Sequence, residues 1–261
     1  MNHRLARCAP LLCALFIACG DTKEPSDPVT FRIVKAADVE WQMLNPLRGD
    51  KSPKAGTLWG DRGAPVPCGF LVKFIDGFSS PPHIHPVTYR GVVVTGEVHN
   101  DLPDAEKEWL PPGTFWTQPA GEVHITAAKG STNVAYIEIE KGPYLVKPAA
   151  EAFTPPETPI KMPPSKMDWK GNRAALAGNP GDDTLTRTLV RVPAGSSASI
   201  TSDGAELHLV VITGQLTHGE HTLDAGSYFG STGKATHEVK AGDAESLVYV
   251  RTRGTFELAS K

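Results

Sequence analysis

The chain contains one pattern of short apolar runs and glycines twice, and this duplication limits the possible folds more than any other feature. Gly77 and Gly96 are nineteen residues apart, as are Gly195 and Gly214. The run before the second glycine reads Val-Val-Val-Thr in one copy and Val-Val-Ile-Thr in the other. Because such matches keep the same order along both halves, they predict two copies of one domain.

Each copy has the composition of a β structure. Apolar runs rich in β-branched residues, such as residues 69–75, 91–95 and 133–139, are separated by turn residues. The chain of 261 residues contains 25 Gly and 23 Pro, which disfavour long helices. We therefore predict an all-β fold of two barrels, at residues 31–147 and 167–261. The proline-rich residues 148–166 would join them as an extended linker.

Three histidines in the first copy are placed as metal ligands would be. His83 and His85 are two residues apart, so on a strand both side chains point to the same side. His124 would arrive from a later strand and complete a face of three nitrogens. Neutral imidazole suits zinc, iron, nickel and copper.

The residues around these histidines resemble the two motifs of the cupin superfamily. The positions at the family spacing are Gly77, His83, His85, Gly96, Gly113, Pro119, Gly121 and His124. Tyr89 stands where the usual glutamate ligand would be, and Ala128 stands where an asparagine would be. The resemblance implies two tandem cupin-type jelly-roll barrels. It also implies one divalent transition metal, zinc or iron, held by the three histidines of the first barrel.

Two narrower resemblances concern larger parts of the chain. The mature chain resembles an uncharacterised bicupin family, a domain of unknown function, at residues 58–61, 91–98 and 110–121. The first barrel is also similar to the cupin domain of zinc-binding anti-sigma factors. Neither resemblance names a substrate, because one fold serves oxygenases, isomerases, sugar binders and sensors.

The loss of the glutamate determines what the first site would bind. Three neutral ligands leave the charge of the ion uncompensated, so we expect a small anionic ligand or substrate. Tyr89 either donates a proton there or fills space at the mouth of the barrel. Two main functions follow, a metal-dependent enzyme of the dioxygenase or hydrolase type and a non-catalytic binding or sensing protein. A purely structural lipoprotein is a third alternative.

The second copy has lost its ligands. In register, Thr201 replaces His83 and Asp203 replaces His85, and only His237 remains. We therefore expect a degenerate barrel with a structural role.

Two further sets of residues, one aromatic and one of histidines, lie near the motifs. The aromatic residues expected in a pocket wall or in the core are Trp59, Phe70, Phe115 and Trp116. His208, His218 and His221 are expected near a hairpin, facing solvent. His99 is either a further ligand or a partner of a ligand, or it lies beyond the pocket on a hairpin.

The N-terminus has the features of a bacterial lipoprotein signal. Arg4 and Arg7 precede a short apolar stretch that ends at Cys19, the residue that would carry lipid. We predict a signal at residues 1–19, a flexible tether at 20–30, and a location in the periplasm or at the outer membrane. Lipidated Cys19 would be the membrane contact, and Cys68 would be the free thiol that remains.

The charge balance limits the partners. The chain carries 26 basic and 29 acidic residues, a net charge of -3, without a basic stripe. We therefore expect no nucleic-acid partner. The expected partners are a small-molecule ligand and, as an open alternative, a second copy in a homodimer.

Overall fold

The computed structural model describes residues 29–177, 185–203 and 206–261, so the predicted signal with Cys19 lies outside the described residues. The described chain is almost entirely β structure, which confirms the predicted fold class. Its strands are β1 (Phe31–Val34), β2 (Gln42–Met43), β3 (Lys54–Gly60), β4 (Cys68–Phe74), β5 (His83–Ile84), β6 (Tyr89–Asp101), β7 (Phe115–Gln118), β8 (Ile125–Ile139), β9 (Lys147–Pro148), β10 (Lys161–Met162), β11 (Trp169–Lys170), β12 (Arg173–Ala177), β13 (Leu185–Val192), β14 (Ser197–Ser202), β15 (Glu206–Thr213), β16 (Gln215–His218), β17 (His221–Asp224), β18 (Tyr228–Thr232), β19 (Ala235–Ala241), β20 (Ser246–Arg253) and β21 (Phe256–Ser260).

Four short 3-10 segments accompany the strands, at Ala36–Asp38, Pro46–Lys51, Ala149–Glu151 and Pro164–Lys166. Among the described residues, no helix has the length and apolar character needed to cross a membrane.

Antiparallel pairing builds one barrel from each copy. The first barrel has a seven-stranded sheet in the order β10-β7-β6-β8-β4-β3-β2, with the small pair β5-β9 beside it. The second barrel has a seven-stranded sheet, β1-β18-β15-β20-β13-β12-β11, and a five-stranded sheet, β17-β16-β19-β14-β21. Gly96 and Gly214, paired by the sequence repeat, have nearly the same left-handed backbone, with φ of 74° and 77°. A side chain at either position would collide with backbone, so both positions require glycine.

The two large sheets are buried on both faces. Phe70 and Val72 of β4 point into the core of the first barrel, while Leu71 between them joins a cluster shared by both barrels. In the second barrel, Leu189 joins the shared cluster and Val190 points inward. Because side chains alternate along a strand, each sheet supplies its own core with one face and the interface with the other. This explains why the runs are apolar at nearly every position.

The N-terminal strand and the linker each extend a sheet edge of one barrel. β1, in the segment assigned to the first barrel, pairs with β18 of the second, with Phe31 opposite Ser231. The proline-rich linker runs back along the first barrel, where β10 pairs with β7 and Met162 lies opposite Phe115. The N-terminal strand of the first copy therefore covers a sheet edge of the second barrel, and the linker covers a sheet edge of the first, so the two copies form one packed unit.

A buried ion cluster crosses the interface between the barrels. Glu138 of the first barrel is fully buried and accepts hydrogen bonds from Arg187 Nε at 2.8 Å and Arg251 Nε at 3.2 Å. Its other oxygen accepts hydrogen bonds from the hydroxyls of Tyr136 and Tyr249, at 3.3 and 3.1 Å. Both arginines also pair with Glu140. Arg251 pairs in addition with Glu206 at 2.6 Å.

This cluster makes the free energy of unfolding depend on pH in the acidic range. Burial alone raises the pKa of Glu138, but the charges of Arg187 and Arg251 outweigh burial and lower it overall. The hydrogen bond with His208, together with Arg251, lowers the pKa of Glu206 to about 2. Carboxyls with a lowered folded-state pKa contribute stability above their unfolded pKa and lose it as the pH falls.

We therefore expect the urea midpoint to decline below about pH 6.5, because burial lowers the folded-state pKa of His124 to about 3 and of His237 to about 4 while the unfolded chain takes up protons there. It should fall more steeply below about pH 4.5, where the carboxyls of the unfolded chain are also protonated. Glu206→Gln should flatten part of this steeper fall, because it removes one carboxyl with a lowered pKa. A midpoint that stays constant down to pH 3 in the unmodified protein would contradict the assignment.

Candidate metal site

The backbone brings the three histidines to one place. His83 lies in β5, His85 follows that strand, and His124 directly precedes β8. His83 and His124 form an antiparallel bridge, with His83 N–H donating to the His124 carbonyl at 3.1 Å and the reverse bond at 3.0 Å. The cross-strand pair therefore places both imidazoles side by side.

The imidazoles converge inside the first barrel. One ring nitrogen from each of His83, His85 and His124 lies within 4.8 Å of the other two. The ring centroids are 4.3 to 5.2 Å apart, and all three residues are buried. Three nitrogens this close could hold a metal ion, as the spacing predicted.

The hydrogen bonds of the three imidazole rings leave one nitrogen of each ring available to bind a metal. In each ring Nδ1 lies within hydrogen-bond distance of a backbone carbonyl, that of Pro81 for His83 at 2.9 Å, Leu145 for His85 at 2.7 Å, and Glu122 for His124 at 3.1 Å. A carbonyl only accepts, so Nδ1 carries the proton and Nε2 keeps its lone pair. Nε2 of His124 is buried and has no hydrogen-bond partner among the described residues. Such an atom is costly unless something binds it.

Burial also keeps the rings neutral. It is the main cause of the lowered pKa of His83, of the strongly lowered pKa of His85, and of the pKa of about 3 for His124. The neighbouring imidazoles lower the last two further. A metal therefore meets three unprotonated ligands at neutral pH, without having to displace protons.

Tyr89 lies beside the histidines, but its hydroxyl points elsewhere. Its ring is edge-on to His85, with centroids 5.2 Å apart. The hydroxyl donates to Asn100 Oδ1 at 2.8 Å, an oxygen that also accepts from Thr126 Oγ1. Asn100 in turn donates to Gln118. Burial raises the pKa of Tyr89, so the phenol stays protonated.

A second tyrosine, which the sequence motifs do not include, faces the site directly. The hydroxyl of Tyr144 lies 3.4 Å from His85 Nε2, and the two rings stack with centroids 4.6 Å apart. Tyr144 is twenty residues beyond His124, in the segment between β8 and β9. No local pattern marks it, because the return of this segment across the barrel mouth brings it to His85.

A pocket of about 640 Å³ opens onto the histidines. Among its lining residues are His83, His85, Tyr89 and Tyr144, and most of the remaining wall is apolar. Of the four aromatic residues considered for this wall, Trp116 lines it. Trp59 and Phe115 instead belong to the cluster between the barrels, and Phe70 to the core of the first barrel.

The other histidines are less exposed than predicted. His99 is fully buried on β6, with Nδ1 3.2 Å from the carbonyl of Glu108. His208 of the second barrel stacks on Trp59 of the first, with ring centroids 4.0 Å apart. His218 lies against buried His237, with facing ring nitrogens 3.0 Å apart. The expectation that His208, His218 and His221 face solvent was therefore wrong, because all three are half-buried. His218 and His221 do lie on a hairpin, where they pair across β16 and β17.

The second barrel does not rebuild the site. Asp203 is exposed and accepts hydrogen bonds from the backbone and side chain of Thr255. His237 lies within hydrogen-bond distance of Ser231 and His218. Among the described residues, the three histidines of the first barrel form the one group of three or more metal-ligating side chains. Cys68 is a free, buried thiol, and burial raises its pKa to about 12, which leaves it inert.

Comparisons with known proteins agree with this fold. The sequence model of the family described as Domain of unknown function (DUF4437) matches residues 32–259. No curated protein matches the sequence significantly.

Solved structures show the same architecture. A protein from Nostoc punctiforme PCC 73102, described as a candidate dioxygenase, has a TM-score of 0.64 and 14% identity, covering 86% of this chain and 82% of that one. YlbA from E. coli has a TM-score of 0.59 and 13% identity, covering 85% and 90%. An oxalate decarboxylase from Bacillus subtilis has a TM-score of 0.57 and 11% identity, covering 87% and 78%. These neighbours have the cupin fold, and the decarboxylase is a bicupin.

Proposed function

Since the chain belongs to the DUF4437 family and has the cupin fold, we propose that it binds one divalent metal, zinc or iron, through His83, His85 and His124 and acts on a small anionic molecule. The enzyme we propose is a metal-dependent oxidoreductase of the dioxygenase type. The observation that carries the proposal is the convergence of three neutral imidazoles, each with Nδ1 within hydrogen-bond distance of a backbone carbonyl. Two of them, His83 and His85, line a mainly apolar pocket. Iron bound there would supply oxygen chemistry, and zinc would supply a Lewis acid.

The protein's own residues would prepare the reaction in three ways. The carbonyls of Pro81, Leu145 and Glu122 hold the imidazoles in one orientation. The apolar wall excludes water and strengthens electrostatic interactions inside the pocket. Tyr144 presents a hydroxyl proton beside His85, where a bound substrate could receive it.

The two tyrosines provide a matched test. Tyr89 was the residue first considered as proton donor, but its hydroxyl donates a hydrogen bond to Asn100. The Tyr144 hydroxyl instead lies beside His85. We expect Tyr144→Phe to lower turnover about 100-fold with metal content unchanged. Tyr89→Phe should change turnover less than about twofold and cost about 1 kcal/mol of unfolding free energy. Steady-state kinetics with metal analysis would check both. A large kinetic loss in Tyr89→Phe alone would restore Tyr89 as the proton donor.

A non-catalytic binding or sensing protein is the second candidate function. It is favoured by Tyr89, which replaces the usual glutamate and turns its hydroxyl away from the histidines. Under this function we propose zinc as the bound ion, because a redox-inactive ion can hold a ligand without oxygen chemistry. The metal would then hold an anionic ligand without turnover.

Metal analysis and oxygen uptake separate the two functions. Residues 20–261 would be purified, analysed for bound metal, and reconstituted with Fe²⁺ or Zn²⁺. Oxygen uptake in the presence of organic acids with Fe²⁺, and its absence with Zn²⁺, would support the enzyme. Saturable acid binding to the zinc form without turnover would support the binding protein. A preparation that takes up neither ion would refute both.

We also propose that the mature protein is a lipoprotein in the periplasm or at the outer membrane, anchored through Cys19. The support is the charged and apolar N-terminus that ends at this cysteine. Expression of the full chain in a bacterium with radiolabelled palmitate tests it. Label should enter the protein and be lost in Cys19→Ser, and an unlabelled full chain would contradict lipidation.

A further inference from the structure

The pocket beside the histidines has a cationic residue that the metal site does not use. Arg48, in the 3-10 segment Pro46–Lys51, lines this pocket together with His83 and His85. Its guanidinium lies over the ring of Phe78, 5.2 Å from the centroid. A guanidinium stacked on an aromatic ring keeps the N–H groups at its edge free to donate.

Arg48 is not neutralised by the protein. Within the described parts of the chain it has no carboxylate at ion-pair distance, in contrast to the arginines of the barrel interface. No aspartate or glutamate is among the described residues that line the pocket. The pocket therefore has a positive arginine and a site for a positive ion, and it supplies no negative charge to balance them. An anionic ligand would provide that balance.

The rest of the pocket wall is apolar and favours a ligand with an apolar group. Its wall includes Val72, Phe74, Phe78, Trp116 and Ile137, all buried hydrophobic residues. A volume of about 640 Å³ is in the range of small-molecule sites and exceeds the needs of a very small anion. An aryl or alkyl group would bury apolar surface against this wall.

From these observations we propose that Arg48 binds the carboxylate of the substrate and that the substrate is an amphipathic organic acid. The carboxylate pairs with the guanidinium through two charge-assisted hydrogen bonds, and the apolar body lies along the wall towards the histidines. This inference rests on the proposed function, because it places the substrate in the pocket of the metal site. It adds the substrate class and the residue that determines it.

Isothermal titration of the metal-loaded protein with 3-phenylpropionate and its uncharged amide tests the proposal. The two probes have the same apolar body and differ in charge. The wild-type protein should bind the acid at least about 10-fold more tightly than the amide, since a hydrogen bond to a charged group is stronger than a neutral one. Arg48→Met should weaken acid binding about 10- to 100-fold and leave amide binding unchanged.

Lys51→Met is the matched control, because Lys51 ends the same 3-10 segment, is exposed and does not line the pocket. It should bind both probes like the wild type. Equal binding of the acid by Arg48→Met and wild type, or no acid binding by the wild type, would overturn the assignment. Metal content is measured on the same samples. Failure to hold metal would contradict the proposed function, whereas bound metal without Arg48-dependent discrimination would contradict only this inference.

Discussion

Replacing His124 with alanine is expected to reduce bound metal from about one ion per chain to a trace. The imidazole supplies one of three nitrogens, and its Nε2 has no hydrogen-bond partner among the described residues. The two remaining histidines are too few protein ligands to hold the ion tightly, so affinity should fall by at least about 100-fold. Mass spectrometric metal analysis after dialysis against a weak chelator measures the loss.

The control for this prediction is His221→Ala. His221 lies in β17 of the second barrel, which lacks a three-ligand cluster in its described residues. Its removal should leave metal content unchanged. Circular dichroism and thermal melting of His124→Ala would show whether the barrel remains folded. Full metal occupancy in a folded His124→Ala protein would remove this residue from the site.

Glu138→Gln is expected to cost about 3 kcal/mol of unfolding free energy. The substitution removes a fully buried charge that accepts from both Arg187 and Arg251 and leaves the two guanidiniums less compensated. Breaking a buried ion pair by removing one partner costs about 3–5 kcal/mol. Glu140 and Glu206 still pair with the arginines, which places the expected cost at the lower end. For a chain of this size the melting temperature should fall by about 6–12 °C.

Glu97→Gln is the matched control. Glu97 pairs with Lys129 at 3.6 Å on the surface, where both side chains are largely exposed. Exposed pairs contribute little, so the cost should stay below about 0.5 kcal/mol. Urea unfolding monitored by tryptophan fluorescence would compare the two variants. Equal stability of Glu138→Gln and wild type would show that the buried cluster does not hold the barrels together.

The duplicated pattern and the metal ligands could be predicted from the sequence because both depend on short-range spacing. Short apolar runs rich in β-branched residues indicate strands, and glycines such as Gly96 mark positions where the backbone must be left-handed. His83 and His85 share a strand face through the period of two. These features require no knowledge of what packs against them.

The partners of individual side chains could not be predicted in this way. Tyr144 reaches His85 from a separate segment, and Arg48 reaches the pocket from a 3-10 segment near the start of the chain. His208 has the polar character of a surface residue, yet the second barrel brings it onto Trp59. Such contacts join residues far apart in the chain, and no local pattern encodes them.

By itself, the sequence determined the all-β duplication and the histidines that could hold a metal, because strand periodicity and ligand spacing are local properties. The tertiary structure decided what surrounds them. It turned the Tyr89 hydroxyl towards Asn100, placed Tyr144 beside the site, and buried Glu138 between two arginines of the second barrel. The physical reason is that packing and electrostatic interactions depend on distances in space, which the folded chain sets without regard to separation along the sequence.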